Sequence, residues 1–205
     1  MVHGYHVIWG AYGFWLPNDP RGSWSDFVYS WELARFGKAI KSLDRVELEP
    51  AEYAAWRKAA SAALRYPAVS LCEKQVEAVG KAIDIFASKS RLCVWACSIM
   101  PEHVHLVLGR HRYKIEQAAN LLKGAAQRHL IKAGIHPLVA YCNAKGRVPS
   151  LWAEKCWKVY LGGDKAIENA IRYVEANPER EGRPRQSWPF VQAYEGIPGG
   201  WITYA

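Results

Sequence analysis

The spacing of apolar residues changes period along this chain, and the changes mark out strands and helices. "YHVIWGAYGFWL" (Tyr5 to Leu16) is β-branched and aromatic and stops at the turn formers "PNDPRGS", which predicts a first strand and a loop. From Trp24 to Pro67 the pattern is less regular, with "EPAEYAAWRKAASAALRYP" at helical spacing as far as Pro67. That region, about 24–70, reads as an insertion. In "CEKQVEAVGKAIDIFASKS" the residues Val76, Val79, Ile83 and Phe86 recur at helical spacing, and "RLCVWACSIMP" follows as an apolar strand. "HVHLVLGRH" is the next strand, separated only by the turn "MPE", so the two predict a hairpin. "KIEQAANLLKGAAQRHLIKAG" gives a long helix ending at Gly134, a residue suited to a left-handed cap. After a Gly/Pro-containing loop, "LWAEKCWKVYLGG" reads as a strand and "DKAIENAIRYVEANPER" as a helix with Asp164 as N-cap. The tail, about 181–205, is turn-rich and reads as irregular.

Without the insertion and the last helix, this order is βαββαβ. It predicts an α+β, ferredoxin-like fold: a four-stranded antiparallel sheet with helices on one face, an insertion after strand one and an extra tyrosine-bearing helix at the C-terminal end. With no internal repeat, residues 1–205 read as a single domain. The 205 residues are 50% hydrophobic, with 10 Trp and 11 Tyr, enough to bury one substantial core. No apolar run approaches the roughly 20 residues of a membrane helix. "MVHGYHVIWG" lacks the features of a signal peptide, so no membrane association and a cytoplasmic location are expected. The 5 cysteines form no C-x-x-C pair and read as reduced thiols. A net charge of +8 favours a polyanionic partner, with nucleic acid the leading candidate and the nucleoid its place.

Chemistry concentrates in "SIMPEHVHLVLGR". A strand alternates its side chains, so His103 and His105 share one face while Val104, Leu106 and Leu108 share the other. Their Cα atoms then lie roughly 6 to 7 Å apart, within reach of one metal ion. A half-buried, hydrogen-bonded pair is the competing explanation. On the final helix Ile167, Ala170, Ile171 and Val174 form an apolar stripe, and Asn169, Tyr173 and Asn177 lie on another line. Tyr173 can offer a phenol nucleophile beside the amide oxygen of Asn177; alternatively Tyr173 packs, and Asn177 ends the helix before Pro178. "HVHLVL" also approaches the H-x-H-x-H of histidine-triad nucleotide hydrolases, but Val107 stands where the nucleophile would be. A zinc module from Cys93 and Cys97 with the histidines is disfavoured, because a strand would separate the two cysteines by about 13 Å.

Taken together, "MPEHVHLVLGR", "LLKGAAQRHL", "LWAEKCWKVYL" and "AIRYVEANPER" resemble the single-tyrosine HUH transposases of the insertion-sequence type. "YGFWLPNDPRGSW" resembles the W-L-P-G-D-x-R-G stretch of one branch, the REP-associated tyrosine transposases. The resemblance runs in order from about Tyr5 to Pro178. It implies that His103 and His105 are metal ligands, that Asn177 is the third, that Mg²⁺ or Mn²⁺ is the cofactor, and that Tyr173 is the nucleophile. It further implies cleavage of single-stranded DNA beside hairpin, REP-like elements through a 5′-phosphotyrosine, without ATP, by a monomer or homodimer. Asn18 departs from the glycine of that branch. Candidates for DNA contact are Arg21 in the "PNDPRGS" loop, Arg110 and Arg112 after the histidine strand, and Lys123, Gln127 and Arg128 on the following helix. Solvated surface charge is the alternative for each. A non-cleaving DNA or RNA hairpin-binding protein built on the same fold is the alternative for the whole.

Overall fold

A computed structural model describes residues 1–23, 27–28 and 31–197. Insertion residues 24–26 and 29–30 and tail residues 198–205 lie outside the described residues. The chain divides into two compact units. One comprises Met1–Trp9, Leu71–His136 and Glu154–Ala205, and the other Gly10–Ser70 and Pro137–Ala153. The second unit thus joins the insertion to the stretch 137–153, which the sequence pattern presents only as a loop.

The first unit holds a four-stranded sheet. Its strands are β1 (Gly4–Gly10), β2 (Val94–Ile99), β3 (His103–Gly109) and β4 (Trp157–Leu161), in the order β2-β3-β1-β4. The outer pairs run antiparallel, with Ser98 opposite His105 and His6 opposite Val159. This is the expected ferredoxin-like arrangement. Strand one is shorter than the aromatic run suggests and ends at Gly10. Strand four is confined to Trp157–Leu161, without the residues from Leu151 onward.

Three helices belong to this unit: α3 (Glu73–Ser90), α4 (Ile115–Lys132) and α5 (Asp164–Arg180). They follow α1 (Trp31–Ala34) and α2 (Pro50–Ala62) of the second unit. The first two pack on each other. Glu116, at the start of α4, pairs with Lys158, whose side chain alternates away from Val159 and so marks the α4 side of the sheet. The last helix lies on the opposite side: Ile167, Ala170 and Val174 form one core cluster with Ala96, Val107 and Leu161. The sheet is therefore covered on both faces, which is why every residue of β3 is buried rather than every second one.

The last helix corrects one detail. Gly163 is its N-cap, while Asp164 accepts hydrogen bonds from Tyr194 Oη (2.6 Å) and the Ile197 amide (2.8 Å). The helix runs through Pro178 to Arg180, as its sequence pattern predicts. Gly134 follows expectation, with φ at 69° and its successor Ile135 bonded back to the Leu130 carbonyl.

The described part of the tail is tied down along the open edge of β2. Gln186 bonds both backbone groups of Ile99, and the Gln192 amide donates to the Val94 carbonyl. Trp188 lies over Gly80 of α3, where an added Cβ would meet the indole at 2.2 Å. Alanine is the better helix former by about 1 kcal/mol, yet Gly80→Ala should destabilise the protein by roughly 1–3 kcal/mol through this overlap. Thermal unfolding followed by circular dichroism checks it; a midpoint unchanged or raised would show that Trp188 does not press on α3.

In the second unit Leu16, Leu33 and Ala60 form a small core with Trp56, Phe36 and Leu64 against it. The carboxylate of Asp19 is fully buried and accepts from Arg21 through both Nε (3.1 Å) and Nη2 (2.9 Å), and from Tyr53 Oη (3.3 Å). Arg57 stands 3.5 Å from the same carboxylate. Asn18 is buried, and its amide donates to the carbonyls of Leu33 (2.7 Å) and Gly37 (3.4 Å). It needs no left-handed backbone, since Arg91 is the sole non-glycine residue at positive φ among those described.

Candidate active site

Strand alternation puts His103 and His105 on one face of β3, and the pairing of Ala96 with Val107 continues that face onto β2. The same face receives α5. Its stripe seats on Val107, so the residues just off the stripe come to rest over the histidines. The Tyr173 ring lies 5.8 Å from the His105 ring, centroid to centroid. Asn177, a turn further on, is buried with its amide nitrogen 3.4 Å from His103 Nε2. Four residues far apart in the chain thus meet at one place. Tyr173 keeps 42% of its surface exposed, so its phenol is open to an incoming substrate.

Three further residues complete the site. His6 of β1 is buried, its Nε2 3.1 Å from Nδ1 of His105 and its ring 5.7 Å from that of Tyr173. Arg180 holds its guanidinium 4.9 Å from the centre of the Tyr173 ring, a cation–π contact. Glu181 places Oε1 3.6 Å from His103 Nε2. The signal for His6 is a lone polar residue in "YHVIW"; Arg180 and Glu181, past Pro178, carry no comparable signal in the sequence.

Burial controls the electrostatics. Desolvation lowers His6 and His103 from the usual 6.5 to about 4. It lowers His105 to about 2, with the neighbouring histidines adding to the effect. All three rings are neutral at neutral pH and offer lone pairs. If the Asn177 amide nitrogen is the donor, His103 Nε2 carries a lone pair; with the amide turned, its oxygen faces that nitrogen instead. Glu181 Oε1 faces the same nitrogen at 3.6 Å. Glu181 itself is held somewhat above the usual carboxylate range, first by burial and then by Glu102.

The donor set fits a divalent cation only if the amide takes part. Among the described residues no three His, Cys, Asp or Glu side chains are grouped to hold a metal ion. A half-turn of the Asn177 amide presents its oxygen in place of its nitrogen, giving two imidazoles and a carbonyl-type oxygen, a set suited to Mn²⁺ or Mg²⁺. Ser98, opposite His105, is fully buried, and its hydroxyl has no hydrogen-bond partner among the described residues. A polar group left this way costs about 1–3 kcal/mol, as happens on a surface built for a polar guest. The rival chemistries lose their geometry here. Val107 is wholly enclosed in the α5 cluster, and Cys97 points to the other face of β2.

The basic candidates separate into two groups. Lys123 departs from an exposed role: it is buried, and its ammonium donates to the carbonyls of Glu154 (3.1 Å) and Lys155 (3.0 Å). Arg21 is likewise occupied by Asp19, and it stacks between Trp15 and Tyr53. Arg128 is exposed and Gln127 half-buried on α4. Arg110 and Arg112 are exposed and line an open cleft of about 620 Å³ together with Ser90, Arg91 and His111. Arg91 caps α3 at φ 57°, a left-handed conformation usually left to glycine.

No protein family matches this chain by sequence, and no curated protein does either. In three dimensions it is similar to transposases. A REP-associated tyrosine transposase bound to a REP hairpin superposes with a TM-score of 0.47 at 13% identity, covering 93% of this chain and 76% of that one. A protein of Deinococcus radiodurans, assigned provisionally as a transposase, gives 0.39 at 18% identity, covering 85% of this chain and 90% of that one. Among the described residues no helix is long and apolar enough to cross a membrane.

The neutral imidazoles carry a pH signature. The unfolded chain binds protons near pH 6.5 that the folded histidines refuse until about pH 4 or below. Stability should therefore fall as the pH drops from about 7 towards 4. His103→Gln removes one such group, so urea unfolding of that variant should lose less stability over the same interval. An equal loss in parent and variant would mean that His103 is not kept neutral by the fold.

Proposed function

We propose that this protein is a metal-dependent single-stranded DNA endonuclease and strand transferase of the single-tyrosine HUH kind, with Tyr173 as nucleophile, acting beside hairpin elements. The observation that carries the reading is the meeting of an exposed phenol with two buried neutral imidazoles and an amide on one face of the sheet.

Each residue then has a task. His103, His105 and Asn177 would hold Mg²⁺ or Mn²⁺, which when bound neutralises charge on the scissile phosphate. Tyr173 Oη attacks phosphorus in line: the Oη–P bond forms, the P–O3′ bond breaks, and the proton lost by the phenol is matched by one gained at the leaving 3′ oxygen. The product is a 5′-phosphotyrosine with a free 3′-hydroxyl, and reversal on another 3′ end transfers the strand without ATP. Arg180, stacked on the ring, adds positive charge where negative charge develops. The dry floor formed by Val107, Ile167 and Val174 keeps competing water from below the tyrosine.

Arg91, Arg110 and Arg112 form the best-supported contact for the phosphate backbone, because their cleft has no acidic lining residue and no ion-pair partner is seen for them among the described residues. Arg128 extends the basic surface along α4, and Gln127 is a neutral neighbour there. A monomer or homodimer fits this reading equally.

The test is covalent capture. Incubated with a labelled single-stranded hairpin substrate and Mn²⁺, the protein should yield a denaturant-stable adduct through the 5′ side of the cut. Tyr173→Phe should abolish adduct and cleavage while hairpin binding stays near that of the parent, since only a hydroxyl is lost. Cleavage retained by Tyr173→Phe, or an adduct at another residue, removes Tyr173 from the role. Separately, Arg110→Ala and Arg112→Ala should each weaken binding and reduce its salt slope by roughly one unit or less. Lys123→Ala should lower stability and leave that slope alone.

A further inference from the structure

We propose that His6 is a positioning residue for the divalent-ion site: it accepts a hydrogen bond from Nδ1–H of His105 and so fixes that ring in the tautomer whose Nε2 lone pair can ligate. This rests on the metal reading given above. His6 Nε2 and His105 Nδ1 are 3.1 Å apart, and both rings are buried. Two neutral imidazoles in such contact share one hydrogen, so there are only two ways to arrange it. If His6 donates, His105 carries its proton on Nε2, points N–H outward and cannot bind a cation. If His105 donates, its Nε2 is left as a lone pair on the side away from His6, and the ring is a ligand. Metal binding thus requires His6 to be the acceptor.

The fold holds His6 to this task. Its place in β1 is fixed opposite Val159, and its ring meets that of His105 edge to edge, with centroids 5.4 Å apart and 29° between planes. On its other side the Tyr173 ring at 5.7 Å leaves it little room to turn away. A residue needed only to fill this space would be apolar, like Val107 and Leu161 of the same face, since burying two ring nitrogens is costly unless they are bonded.

The measurement is the tautomer of His105 in the metal-free protein, read from long-range ¹H–¹⁵N correlations of the imidazoles, together with Mn²⁺ affinity by calorimetry. The parent should show His105 as the Nδ1–H form. His6→Phe should move His105 to the Nε2–H form or a mixture and weaken Mn²⁺ binding about 10- to 100-fold. His6→Gln, whose Oε1 can accept the same hydrogen bond, should restore the Nδ1–H form and most of the affinity. A parent already in the Nε2–H form overturns the proposal. So does His6→Phe leaving tautomer and affinity unchanged, or His6→Gln recovering neither. Should the Phe variant fail to fold, the parent's tautomer and the Gln variant still decide. A parent that binds no Mn²⁺ sinks the metal reading and this role with it, whereas Mn²⁺ binding indifferent to His6→Phe sinks only the part given to His6.

Discussion

The seating of α5 on the sheet is the contact on which the site depends. Ile167, Ala170 and Val174 recur at helical spacing, while Val107 stands two residues after His105 on a strand that alternates, so the apolar seam and the histidines share one surface. Once Val174 is buried against Val107, the rotation of the helix is set, and Tyr173 and Asn177 have one place to go. Fully burying an Ile or Val contributes about 1.5–3 kcal/mol each. The three buried imidazoles oppose this, because each loses water and gains only partial hydrogen bonding. The apolar half of the interface holds the polar half in a state it would not adopt alone.

That burial makes the rings useful. An exposed histidine titrates near pH 6.5 and is partly a cation in the range where most enzymes work; as a cation it has no lone pair to give. Kept dry, His6, His103 and His105 remain neutral far below that point. The negative end of Glu181 beside His103 and the positive end of Arg180 on Tyr173 then frame a small polarised volume, with the exposed phenol at its rim.

The order of elements was legible because it depends on local period: two-residue alternation in "HVHLVLG", three- and four-residue spacing in α3 and α5. Tyr173, Asn177 and the histidine pair were legible because each sat at a regular offset within one element. What escaped notice were facts of partnership across the chain. His6 gains meaning only from lying beside His105, 99 positions away. Lys123 reads as a DNA contact because a lysine on a basic helix is expected at the surface. Yet it completes the buried series Ala119, Leu122, Lys123, Ala126, and such a position asks which carbonyls will receive the ammonium. Asn18 stands where the resembling branch has glycine, and its side chain serves carbonyls of the segment beyond it.

A net charge of +8 does not say where a polyanion binds, because many cations are occupied within the fold. Arg21 and Arg57 face Asp19, Lys158 faces Glu116, Arg185 faces Glu175, and Lys123 caps two carbonyls. Arg91, Arg110 and Arg112, by contrast, line an open cleft at the end of β3. Arg110 directly follows that strand, roughly 16 Å along it from His105. On the proposed function, binding and chemistry would fall at opposite ends of one element, the first depending on salt and exposed charge and the second on burial.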